Sequence, residues 1–232
     1  MNIQNQKIIA IVPVKPLNDG KSRLINVLSE RQRQALSLML LNRVINCVKG
    51  VKDSIHLWII GGDATVEALC AKHGVVCLNE LGDDLNSTLY KGFQKAFEIN
   101  ADVAMYIPAD LPMLETQDLT DLINSSEGLS RLVLCQAESD GGTNALLVPK
   151  DMMAFMPQLG DNSFLKHIQI AQVNSWRFSF CNAPGMTFDL DTPRDFDRCR
   201  QELPLFMRNL DQWTKVLKDS LSLSTLDALL SG

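Results

Sequence analysis

Most of what builds a side-chain nucleophile, a metal-stapled fold or a nucleic-acid surface is scarce in this 232-residue sequence. There are three histidines, at 56, 73 and 167, and they stand in no Ser/His/Asp or Cys/His arrangement of the kind that activates a nucleophile. Six cysteines, at 47, 70, 77, 135, 181 and 199, form no C-x-x-C pair and no zinc-like spacing. They read as reduced, mostly buried thiols of a cytoplasmic protein. Positive charge is short too: 22 Lys and Arg against 27 Asp and Glu leave a net charge of −5. That argues against a nucleic-acid or membrane partner and requires any anionic ligand to be held by a local basic cluster. No apolar run approaches the ~20 residues of a membrane span, and the polar stretch Met1–Gln6 lacks the apolar core of a signal peptide.

What is present is an ordinary globular composition, 46% hydrophobic and 21% charged, with enough chain for a full core. Short apolar, β-branched runs at 7–14, 55–60, 75–78, 103–107 and 132–137 read as strands buried on both faces. Helical patterns separate them. One opens on the capping box Ser29–Gln32 and stops at Gly50, one runs from Asp63 to His73, one from Asp84 to about Asn100, and one from Thr116 to Asn124. This alternation gives α/β architecture, a mostly parallel Rossmann-like sheet with helices on both faces. Beyond residue 140 the expectation is a strand at 145–148, helical segments near 151–157 and 163–172, and a strand at 175–180. With no linker or repeat, residues 1–232 read as one domain. A leucine-rich helical tail starts near 203, explained by core packing or, as the minority reading, by a homodimer contact.

Ligands of open parallel sheets bind beyond the carboxyl ends of the strands, and four polar clusters fall there. The first strand leads to Lys15, Lys21 and Arg23, and the fourth to Asp110 between Pro108 and Pro112. The fifth leads to Gly141-Gly142-Thr143-Asn144, and an extended segment 186–191 carries Asp189 and Asp191. In an extended segment those two carboxylates project from the same side and repel unless a positive group lies between them. A hard, oxygen-ligated ion such as Mg2+ answers that need; a solvent-facing Asp189 with Asp191 or Thr192 capping the next helix answers it equally. Gly20-Lys21-Ser22 is not a P-loop, because Lys15-Pro16 occupies the place of the required first glycine. Three carboxylates opposite a basic loop describe metal-assisted phosphoryl or nucleotidyl transfer. Ser163 and His167, four apart, share a helix face whose free amides could form a small anion site, or serve only as a cap. Sugar transfer from a nucleotide-sugar is the alternative suggested by the Asp-x-Asp pair.

The motifs Val12-Pro13-Val14-Lys15-Pro16 with Lys21-Ser22-Arg23-Leu24, Asp84-Leu85-Asn86, Ala109-Asp110-Leu111-Pro112, Gly141–Leu146, Gly160–His167 and Asp189–Pro193 occur here in one order. Together they make the chain, over about residues 7–200, resemble the 2-phospholactate guanylyltransferase family of coenzyme F-420 biosynthesis. The resemblance implies a nucleotidyltransferase-like fold that joins the guanylyl group of GTP to a phosphorylated three-carbon acid: 2-phospho-L-lactate, phosphoenolpyruvate or 3-phospho-D-glycerate. It implies Mg2+ on Asp110, Asp189 and Asp191, the phosphoacid on Thr143, Gly160 and Ser163, and the GTP phosphates on Lys15, Lys21 and Arg23. Asn86 falls in the motif near the nucleotide, and Leu159 stands where an aromatic residue often precedes the glycine.

Overall fold

The computed structural model describes residues 6–51, 55–139 and 141–218. Seven strands form one sheet: β1 (Ile8–Val14), β2 (Ile55–Gly61), β3 (Val76–Leu78), β4 (Val103–Tyr106), β5 (Leu132–Gln136), β6 (Thr143–Pro149) and β7 (Phe178–Phe180). Their order is β3-β2-β1-β4-β6-β5-β7. Every pairing that involves β6 is antiparallel and every other pairing is parallel, so β6 alone runs against the rest. Its first residues therefore lie at the same edge as the carboxyl ends of β1, β4 and β5. That reversal is what brings Thr143 and Asn144 to the edge where Asp110 leaves β4.

Alternation along the strands builds two cores, as a pleated sheet covered on both faces requires. Ile8, Ala10 and Val12 of β1 face α1 (Glu30–Gly50), α2 (Ala64–His73), α4 (Thr116–Asn124), α7 (Pro193–Glu202) and α8 (Phe206–Lys218). Ile9 and Ile11 face α3 (Leu85–Glu98), Phe155 and α5 (Ser163–Val173). The helix starts are fixed by side chains as the sequence predicts. Ser29 and Gln32 close a reciprocal capping box on α1, and Asp84 with Ser87 closes another on α3. Asp63 caps α2 through Thr65 and Val66 and also accepts from the Leu17 N–H at 2.9 Å, which ties the loop after β1 to its neighbour helix.

Three expectations change. The segment near 151–157 forms only a 3-10 turn, Lys150–Met152, and the strand expected at 175–180 shortens to three residues because Ser175 turns into a left-handed conformation, φ 55°. Residues 186–191 do not form a sheet strand. Pro184–Thr187 make a short helical turn, α6, and the chain then runs past the end of β4, where Leu190 N–H donates to the Asp110 carbonyl at 3.0 Å. Proline at the first helical position favours the turn. In the tail, Phe206, Leu210 and Trp213 are buried in the core against α1, so core packing accounts for these three, whereas Leu205 is exposed. The leucines at 221, 223, 226, 229 and 230 lie outside the described residues.

Candidate active site

The loop leaving β1 makes two 3-10 turns, Leu17–Asp19 and Ser22–Leu24, with Lys21 between them in the left-handed region, φ 52°. A non-glycine residue pays of order 1 kcal/mol for that conformation. Here it turns the side chain inward, and only 8% of it stays exposed. Lys21 Nζ donates to Asp110 Oδ2 at 2.9 Å, to Asp191 Oδ1 at 3.1 Å and to the Leu190 carbonyl at 2.7 Å, which uses all three ammonium protons. Burial alone would lower its pKa; the Asp110 and Asp191 carboxylates outweigh that and raise it, so Lys21 is a fixed cation. Arg23 lies 3.5 Å from Asp191 Oδ2 with its side chain 72% exposed, and Lys15 is exposed at the mouth of the loop. The basic loop thus divides into one buried clamp and two solvent-facing cations.

Asp110, Asp189 and Asp191 do converge. Burial raises the Asp189 carboxyl to about 6, with Asp110 and then Asp191 adding to the shift, while Asn144 Nδ2 donates to its Oδ1 at 3.3 Å and partly offsets it. The buried Tyr106 phenol is pushed upward by desolvation and by the same three carboxylates. Among the described residues no group of three or more His, Cys, Asp or Glu is drawn together as a preformed metal cage, and the ammonium of Lys21 occupies the place between Asp110 and Asp191. The donor chemistry nevertheless fits a hard divalent cation: three carboxylates, with Asp189 retaining a raised pKa that Lys21 does not cancel.

A second cluster adjoins the first through Asn144 and its neighbour Thr143. Thr143, Ser163 and His167 are all buried. Thr143 Oγ1 lies 2.9 Å from His167 Nδ1 and accepts from Ser163 Oγ at 3.3 Å, while the Gln158 N–H donates to His167 Nε2 at 2.9 Å. Burial pulls the His167 pKa down to about 4, so the ring is neutral at physiological pH. Gly160, φ 112°, has open space where a side chain would stand. The free-amide site expected at the start of α5 is only partly available. Ser163 N–H donates to the Gly160 carbonyl and Phe164 N–H to the Gly141 carbonyl, so the chain's own oxygens satisfy two of those amides. Asn86 does not cap α3. Its side-chain amide donates to the Leu159 carbonyl at 3.3 Å and accepts from the Leu159 N–H at 2.7 Å, clasping the backbone beside Gly160.

With this geometry in view, the similarity to known proteins is specific. The family described as "Guanylyl transferase CofC like" matches residues 8–209. The chain belongs to this family. Among curated relatives, a phosphoenolpyruvate guanylyltransferase of Rubrobacter xylanophilus is 33% identical over 82% of this chain and 92% of its own. A 2-phospho-L-lactate guanylyltransferase of Methanocaldococcus vulcanius is 28% identical over 81% of this chain and 82% of its own. Among solved structures, CMP:2-keto-3-deoxy-manno-octonic acid synthetase complexed with CTP superposes with a TM-score of 0.59 at 12% identity, over 87% of this chain and 100% of the other. At that identity the likeness establishes the fold, a nucleotidyltransferase-like α/β sheet.

Within this guanylyl transferase family member, two residues of the site carry no role in the sequence reading. Asn144 holds both the Asp189 carboxylate and, at 3.2 Å, the Thr187 carbonyl. Gln158 contributes only its backbone N–H, which no side-chain pattern can signal. Asn144 had a signal, since it ends the Gly-Gly-Thr-Asn turn opposite the aspartates.

Proposed function

We propose that the chain transfers the guanylyl group of GTP to a phosphorylated three-carbon acid, as a step of coenzyme F-420 biosynthesis. Phosphoenolpyruvate is the leading acceptor, because four relatives at 30–33% identity carry that name and four named for 2-phospho-L-lactate fall at 24–28%. The observation that carries the reading is the buried Lys21 clamp between Asp110 and Asp191, flanked by Arg23 and Lys15 at the carboxyl edge of the sheet. In the reaction a phosphate oxygen of the acid attacks the α-phosphorus of GTP, the bond to the bridging α–β oxygen breaks, and pyrophosphate leaves. Lys15 and Arg23 are placed to meet the triphosphate, and Lys21 sets the orientation and charge of the aspartates. Asp110, Asp189 and Asp191 would hold Mg2+, which supplies positive charge to phosphate oxygens when bound. Thr143, Ser163 and Gly160 would receive the acid, with Asn86 acting on it through the Leu159 backbone rather than on the nucleotide.

Pyrophosphate release with Mg2+ and GTP, offering each acid separately and ATP, CTP and UTP as controls, tests this directly. Turnover with GTP and phosphoenolpyruvate is expected. Silence with all three acids in folded protein would overturn the acceptor class.

A further inference from the structure

We infer that His167 is a positioning residue that makes the Thr143–Ser163 hydroxyl pair a hydrogen-bond donor toward an anionic ligand. The argument is a count of protons. The Gln158 backbone N–H can only donate, so His167 Nε2, 2.9 Å away, must accept and carries no hydrogen. A neutral imidazole then has its single proton on Nδ1, which points at Thr143 Oγ1 at 2.9 Å. Thr143 therefore receives a proton from His167 and does not give one to it. The two hydroxyls hold two protons between them, and one is used in their mutual contact at 3.3 Å. Whichever hydroxyl donates in that contact, one O–H remains for a third partner.

The opposite tautomer inverts this outcome. With the proton on Nε2, Thr143 would donate to Nδ1 and Ser163 to Thr143, leaving the pair with lone pairs only, which repel a carboxylate or phosphate oxygen. A backbone amide thus selects, through one ring, the polarity of two hydroxyls. The ring is held in place: it is fully buried, its centroid lies 5.4 Å from that of Phe155, and burial keeps it neutral well below pH 6. The same geometry fixes the 158–160 loop from two sides, at Gln158 by His167 and at Leu159 by Asn86. This inference rests on the acid-site reading above, and its first test does not depend on that reading.

The proton position is read directly from the long-range 1H–15N correlation of the His167 imidazole in the unmodified protein. A proton on Nδ1 is expected; a proton on Nε2 overturns the inference whatever the enzyme's substrate. Kinetics with the acid that supports pyrophosphate release supply the second test. His167→Gln keeps an acceptor for the Gln158 N–H but has no donor for Thr143, whereas His167→Asn can present its amide N–H at the Nδ1 position. His167→Gln should raise the KM for the acid about 10-fold or more, with the KM for GTP changed less than about 2-fold, and His167→Asn should recover part of the loss. Equal effects on both substrates, or a KM for the acid within 2-fold of the parent, would reduce His167 to a packing residue and overturn the inference. Thr143→Val, which keeps the shape and removes the hydroxyl, should abolish the difference between the His167 variants; persistence of that difference would also overturn it. If no phosphoacid supports turnover, the substrate reading fails while the tautomer result stands.

Discussion

At the scale of single residues, the site is governed by where protons and charges are held. Lys21 offsets two carboxylates in a position that water reaches poorly, so Lys21→Met removes the cation between Asp110 and Asp191 and leaves only the exposed Arg23 beside Asp191. We expect kcat/KM to fall by about 10²-fold or more, the usual scale for losing a preorganised electrostatic group. The melting temperature of this variant should rise with added Mg2+ more steeply than that of the parent. A Mg2+-independent melting temperature in both proteins would remove the metal from these aspartates. His167 makes a pH prediction of definite sign. Its folded-state pKa, about 4, lies below the ordinary histidine value, so its contribution is fully present above about pH 6.5 and is lost as pH falls toward 4. The full shift corresponds to about 3 kcal/mol, of which on the order of 2 kcal/mol is lost between pH 7.5 and 5. Asp189, raised to about 6, works in the opposite sense, favouring the folded state as it protonates between pH 6 and 4. Urea unfolding of His167→Gln against the parent at pH 7.5 and 5 isolates the histidine term. The difference between the two proteins should shrink at the lower pH.

At the scale of elements, the short turn Pro184–Thr187 decides how the aspartates are presented. Asp118, in the first turn of α4, accepts from the Gly185 N–H at 3.1 Å and from the Glu115 N–H at 2.7 Å. A Cβ on Gly185 would collide with Asp118 Oδ2 and stand 2.5 Å from the Met113 carbonyl. The second of these contacts is backbone and cannot be relieved by a rotamer change. Gly185→Ala should therefore cost about 1–3 kcal/mol by overpacking and displace the segment that carries Asp189 and Asp191. The expected result is a loss of kcat that remains after activity is normalised to folded protein, as judged by unfolding curves and kinetics together. An unchanged kcat would show that α6 supports the fold and not the site.

At the scale of the whole molecule, α8 closes the larger core over α1. Leu210 is wholly buried there, beside Phe206 and Trp213. Leu210→Ala should lower stability by about 2–5 kcal/mol through lost burial and a residual cavity, with kcat per folded molecule unchanged. Urea unfolding and kinetics on the same preparation check both halves of that statement. A fall in kcat at saturating substrate would mean that α8 reaches the site through α1. The reversed strand β6 is the other feature of this scale, because it places Thr143, beside Ser163 and His167, and Asn144, bonded to Asp189, on consecutive residues of one strand.

The sequence alone determined the alternating strands and helices, the helix caps at Ser29, Asp63 and Asp84, and the identity of the polar clusters. These rest on local chemistry: β-branched runs, side chains that reach amides two or three residues away, and glycines at stops. It also grouped Asp110, Asp189 and Asp191, and the first and last of these lie close enough to shift the Asp189 carboxyl, although the segment delivering Asp189 and Asp191 is a turn and a loop. Only the tertiary structure decided what lies between those carboxylates. Lys21 and Asp191 are 170 residues apart, and their contact depends on a left-handed backbone at Lys21 that no periodicity announces. The tertiary structure likewise set the Asn86 amide as a clasp on the Leu159 backbone. It also gave His167 a tautomer, through a backbone N–H that every sequence of this length contains. Residue types record which groups are available, whereas the direction of a proton depends on partners that only folding brings within 3 Å.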